Sequence, residues 1–161
     1  MRRLAFALTV SAVLIAGGPT AQAAPPTVVE AGGQATAPAL PDPRTLTLTW
    51  LYWGRMTSEW IVPRGGEARW ANEAGESKTF AVTEAEFDRL RDIFRPYEGR
   101  PFDCERVLTD GAYGRLTWSQ PGHEDQQLKW DTGCVTGDAN DVFERVDQAV
   151  NLLKELRDRQ P

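Results

Sequence analysis

The chain has 161 residues, 18 basic and 23 acidic side chains, a formal charge of −5 and 41% apolar residues, which suits one domain of moderate size. That acidic balance excludes two partners: phosphate-driven nucleic-acid binding needs clustered Lys and Arg to displace counterions, and attachment to an anionic membrane surface needs the same. One histidine and two cysteines leave little material for metal sites or for nucleophile–base pairs.

The first 23 residues read as a secretory signal. Arg2 and Arg3 give a positive start, Leu4 to Ala16 an apolar run, and Gly17, Gly18 and Pro19 a break before Ala21-Gln22-Ala23, an A-x-A cleavage site. The run is shorter than the roughly 20 residues a spanning helix needs. Removing 23 of 161 residues leaves 138 and, with two arginines gone, moves the charge to −7. The expected mature protein has no transmembrane segment and works in the periplasm or outside the cell. Residues 24–43, rich in Ala, Pro, Gly and Thr, read as a flexible leader that cannot bury enough apolar surface to offset its ordering entropy. One α+β domain is then expected over residues 44–159.

Arg44 to Trp53 alternates strictly: Leu46, Leu48, Trp50 and Tyr52 share one face, Thr45, Thr47 and Thr49 the other, which predicts a strand. Gly54 and Arg55 read as its turn. Further strands are expected at Ser58–Val62, Glu67–Ala71 and Lys78–Val82, separated by Pro63-Arg64-Gly65-Gly66 and by Asn72–Glu76. Thr83-Glu84-Ala85-Glu86 is a capping box, with Val82 and Phe87 placed as a hydrophobic staple, and Phe87, Leu90, Ile93 and Phe94 form one face of the helix that follows. Tyr113–Ser119 and Gln126–Asp131 predict a hairpin around Pro121-Gly122, Leu116 and Trp118 facing the same way as Leu128 and Trp130. A closing helix is expected from about Asn140 to Arg157, with Val142, Val146, Ala149, Val150, Leu153 and Leu156 as its stripe and Asp138, Asn140 and Asp141 at its start.

Together these elements predict an antiparallel sheet of five or six strands in the order meander, helix, hairpin, helix, with both helices on one face and the threonine face left available. In an oxidising compartment Cys104 and Cys134 would form one disulfide, closing a loop of about 30 residues and contributing about 3.5 kcal/mol in the chain-entropy model. The order of elements resembles that of small proteinase inhibitors of the emfourin type, a likeness of layout that carries no residue motif and assigns no inhibitory residue.

Candidate chemistry is thin. His123 falls in the Pro121–Asp125 turn, where a solvated histidine is the simpler reading, and no nucleophile elbow accompanies it. Asp138, Asn140, Asp141 and Glu144 miss the spacing of a calcium loop, and helix capping explains them. Paired carboxylates for glycan hydrolysis need only a suitable separation, which 23 scattered acids do not diagnose. Six tryptophans, all on predicted strands, are the unusual feature. Trp50, Trp118 and Trp130 are in phase with other core residues; Trp53, Trp60 and Trp70, near Arg55, Arg64 and Arg69, are the candidate contact residues, with Arg55 beside them. The sequence therefore predicts no catalytic residues, no metal and no cofactor. Its expected role is an exported, non-enzymatic module that binds a protein or glycan, as an inhibitor or an envelope accessory factor. The alternative is a small carboxylate hydrolase acting on envelope glycans.

Overall fold

The structure, a computed structural model, describes residues 42–100, 102, 111–135 and 137–159, all within a compact unit spanning Ala37–Pro161. The expected signal over residues 1–23, all of the expected leader but its last two residues, and Cys104 lie outside the described residues.

The fold is α+β. Six strands, β1 (Thr45–Tyr52), β2 (Arg55–Pro63), β3 (Gly66–Asn72), β4 (Ser77–Val82), β5 (Tyr113–Ser119) and β6 (Gln126–Asp131), form one antiparallel sheet in the order β4-β3-β2-β1-β5-β6. Two helices, α1 (Glu84–Phe94) and α2 (Ala139–Asp158), cover one face. Period-two alternation decides that face. Leu46, Leu48, Trp60, Val62, Ala68, Phe80, Leu116, Trp118, Leu128 and Trp130 are buried against Phe87, Leu90 and Phe94 of α1 and Val142, Val146, Ala149, Leu153 and Leu156 of α2. Among the described residues no helix is long and apolar enough to cross a membrane.

The capping box at α1 forms in both directions: the Glu86 amide donates to Thr83 Oγ1 at 3.3 Å, and the Thr83 amide donates to Glu86 Oε2 at 2.9 Å. The start of α2 differs from expectation. Asp138 occupies the cap position without a side-chain cap bond, because its carboxylate is taken by Arg100 at 2.6 Å. Asp141 is likewise held by Arg145 at 2.7 Å and by the Tyr97 hydroxyl at 2.6 Å. At Asp138 an ion pair with Arg100, outside α2, takes the carboxylate that capping would use, and at Asp141 an i,i+4 pair within α2 and the Tyr97 hydroxyl do the same.

Two further observations bear on the end of the expected leader and on the threonine face. Asp42 and Pro43, read as the end of a flexible leader, are anchored: Pro43 is buried, and Asp42 accepts from Arg91 at 2.8 Å. Arg91, itself buried, makes a two-pronged pair with Glu98 at 2.9 and 2.6 Å, so Asp42 joins an existing charged cluster. The threonine face is not uniformly available. Thr49 and Thr117 are buried, lying on the central strands where a short side chain has neighbours on both sides.

Candidate functional site

The β1–β2 connection is a two-residue turn, and its position departs from the sequence reading. Trp53 is not on a strand and Arg55 does not belong to the turn: Trp53 and Gly54 form the turn, and Arg55 opens β2. Both turn residues have positive φ, 50° at Trp53 and 76° at Gly54. The mirror-image hairpin turn that matches the strand twist demands this, and it is why Asn or Gly usually fills such positions. Trp53 is the only non-glycine residue with positive φ among the described residues. A left-handed conformation costs an ordinary L-residue about 1–2 kcal/mol.

Packing at most offsets that strain and returns nothing beyond it. Trp53 is 69% exposed and its neighbour Tyr52 45%, the two rings meeting edge to face at 6.1 Å. The tip is nonetheless held. On one side the Gly54 amide donates to the Tyr113 hydroxyl at 3.0 Å, fixing the turn to β5. On the other, Arg55 pairs with Glu73 at 2.6 Å, and the Glu73 amide donates to the Thr57 carbonyl at 3.1 Å. Thr57 is the extra residue of a bulge: Trp50 faces Ser58 and Leu51 faces Met56, so the register shifts between them. Bulges beside a turn re-aim the strand end. The arrangement is a rigid hairpin tip presenting two aromatic rings, with a charged pair at its flank.

The other expected contact residues lie elsewhere. Trp60 is in the core at 2% exposure, with Phe80 beside it at 6.0 Å. Trp70 is half-buried, its ring 5.9 Å from Trp60, and the Arg157 guanidinium of α2 sits over both, 4.5 Å from the Trp70 centroid and 5.3 Å from that of Trp60. Their helix-facing side leaves them under α2 and not beside Trp53. Trp53 and Arg55 are thus brought together at the tip, while Trp60 and Trp70 belong to a different place. Trp50 stacks edgewise on Trp130 at 4.2 Å, and the Trp130 ring lies against Gly114, where a methyl group would collide with that indole and with the Thr49 carbonyl.

No family model, curated protein or solved structure matches this chain. Function must be argued from the site alone.

Cys134 is buried, 7% exposed, and follows β6 directly; no free cysteine occurs among the described residues. Among those residues no three His, Cys, Asp or Glu side chains gather as a metal site would require. His123 is exposed in its turn. Four carboxyl groups titrate below their ordinary range: Asp42 through Arg91, Glu86 through Arg159 (down to about 2), Asp141 through Arg145 and Asp158 through Arg157. Each is held ionised by an arginine hydrogen bond.

Sequence reasoning missed three features. The bracing Tyr113 hydroxyl and the Glu73 carboxylate become neighbours of the tip only through strand order. Alternation puts Tyr52 on the inward face, but it is the last residue of β1 beside the turn and is 45% exposed.

Proposed function

We propose that the protein is an exported, non-enzymatic binding module that engages a protein partner through the Tyr52–Trp53 tip. The observation that carries this reading is Trp53: a large indole, more than two-thirds exposed, held at positive φ in a braced turn. Residues that break a local rule without a packing return are expected at functional sites. An exposed aromatic pair with a polar charged flank has the composition of an interface centre and its rim. Preorganisation by Tyr113 and Glu73 lowers the ordering cost of binding. A partner with an apolar cleft would receive the tip, as an inhibited enzyme or an envelope assembly component does.

Export belongs to the same proposal. Cleavage after Ala23 would place the domain in the periplasm or outside the cell, where Cys104 and Cys134 would form the bridge that ties the entrance of the β5–β6 hairpin to its exit. Intact mass of the exported protein should show the 138-residue form, with two thiols appearing only after reduction. The hydrolase reading gains no support from the carboxyl groups that titrate abnormally, since a general acid needs its pKa raised and these four are lowered.

The test compares wild type with Trp53→Asn as immobilised bait for an envelope extract, together with a photoreactive side chain at position 53. A single protein retained by wild type, lost with the variant and crosslinked at residue 53 supports the proposal. Retention indifferent to residue 53, or capture of glycan only, overturns it.

A further inference from the structure

Beyond the tip, we infer that a hollow between β1, β5 and β6 binds a small organic carboxylate. The hollow measures about 370 Å³ and is lined by Leu51, Phe102, Tyr113, Arg115, Lys129 and Asp131, among others. The volume corresponds to about a dozen water-sized groups, at the small end of ligand pockets.

Two features give it chemistry. Arg115 on β5 and Lys129 on β6 are directly opposed in the register, both exposed, and neither pairs with an acid among the described residues. Like charges directly opposite on neighbouring strands repel and weaken the sheet, so the pair is an arrangement that folding alone does not favour. The one acid among these six residues, Asp131, has an oxygen engaged by the Gly133 amide at 2.7 Å. One net positive charge therefore stands at the margin of a surface that Leu51, Phe102 and Tyr113 make apolar. An anion between Arg115 and Lys129 would relieve their repulsion, and an apolar body attached to it would cover the rings. A carboxylate on a short aliphatic or aromatic body fits both requirements, and bidentate pairing with a guanidinium suits that head group.

The site makes no use of Trp53, so its test is separate from that of the tip. Full-length mature protein is titrated with sodium hexanoate and with benzoate while backbone amide shifts are followed by NMR. Hexanamide tests the apolar body without the charge, and inorganic phosphate the charge without the body. Saturable shifts at Leu51, Tyr113 and Lys129 are expected with both carboxylates. Lys129→Glu should weaken them by about tenfold or more, through loss of a charged hydrogen bond, while raising the melting temperature of the empty protein by replacing a repulsive pair with an attractive one. Absence of saturable shifts from both carboxylates would overturn the inference. So would hexanamide or phosphate binding as tightly as hexanoate, or Lys129→Glu lowering the melting temperature.

Discussion

Replacing Trp53 by Asn separates a residue kept for contact from one kept for packing. The indole is 69% exposed, so about a third of its surface is covered by the protein. For an aromatic side chain of about 200 Å² that is about 60 Å², or about 1.5 kcal/mol of burial. Against this stands the positive φ of 50°, which Asn tolerates and which costs an ordinary residue about 1–2 kcal/mol. The two nearly cancel, and the expected change in unfolding free energy is within about 1 kcal/mol. Trp60→Ala sets the scale at the other extreme: at 2% exposure it should cost about 3–5 kcal/mol. Urea denaturation followed by circular dichroism measures both, with an unchanged slope confirming that only stability has moved. Affinity for the partner should behave in the opposite sense to stability, Trp53→Asn losing about 2 kcal/mol or more as a central aromatic contact does. A variant that loses more than about 2 kcal/mol of stability, yet binds as before, would show that the tip is structural and refute the reasoning.

Arg91→Leu should destabilise by about 3–5 kcal/mol, since Glu98 would be left buried without its partner, whereas the double variant with Glu98→Leu should recover most of that loss in the same denaturation assay. Asp42→Asn, at an exposed carboxylate of the same cluster, should cost far less than Arg91→Leu, because solvent screens that pair. Gly114→Ala pushes a methyl group against the Trp130 indole and the Thr49 carbonyl, so a loss of about 1–3 kcal/mol and a shifted tryptophan emission are expected. Glu86 is held down to about 2 by its hydrogen bond to Arg159 and by the capping bonds with Thr83. Its contribution is complete above the ordinary value of 4.5 and is lost as pH falls through about 2; Glu86→Gln should flatten that limb of the stability–pH curve. Tyr97 is pushed up to about 12, first by burial and then by donating to Asp141. Its contribution is complete below 10 and is lost as pH rises through about 12, and Tyr97→Phe should abolish the alkaline limb.

The elements most legible in the sequence are those whose stabilising interactions are local. The capping box at Thr83–Glu86 is written in four consecutive residues, and α1 starts where it says. Period-two alternation placed β5 and β6 at the residues the structure assigns them, and it gave the inward face of β1 up to Trp50. It failed at Tyr52 and Trp53, because Trp-Gly lacks the Asn-Gly signature of a two-residue turn, so the turn begins one residue earlier than alternation implies. Alternation also fixes a face without fixing depth. The sequence reading makes Trp60 and Trp70 contact residues, and only the path of α2 decides that Trp60 is covered and that Arg157 lies over both rings. The Arg91–Glu98–Asp42 cluster and the Arg115–Lys129 opposition join residues whose adjacency exists only in the folded register.

That register divides the sheet into two unlike ends. Thr45, Pro63, Gly66, Val82 and Ser119 lie at one end. Around that end lie several ion pairs: Arg64 with Asp88 at 3.2 Å, Arg91 with Asp42 and Glu98, and Arg159 with Glu86 at 2.7 Å, beside the capping box. At the opposite end lie the positive-φ tryptophan, the two exposed rings, the bulge and, two residues in from the start of β5, Arg115, which faces Lys129 and pairs with no acid among the described residues. Each of the latter weakens the fold or leaves it unimproved, and in a protein only marginally stable such features persist where something other than folding maintains them. The tip and the hollow share that second end, joined by Tyr113, which braces the turn through Gly54 and lines the hollow with its own side of the strand. If both sites are occupied in the working protein, Tyr113→Phe should weaken partner binding at the tip by loosening the turn while leaving the Arg115–Lys129 pair intact. Equal loss at both sites would show that they form one continuous surface.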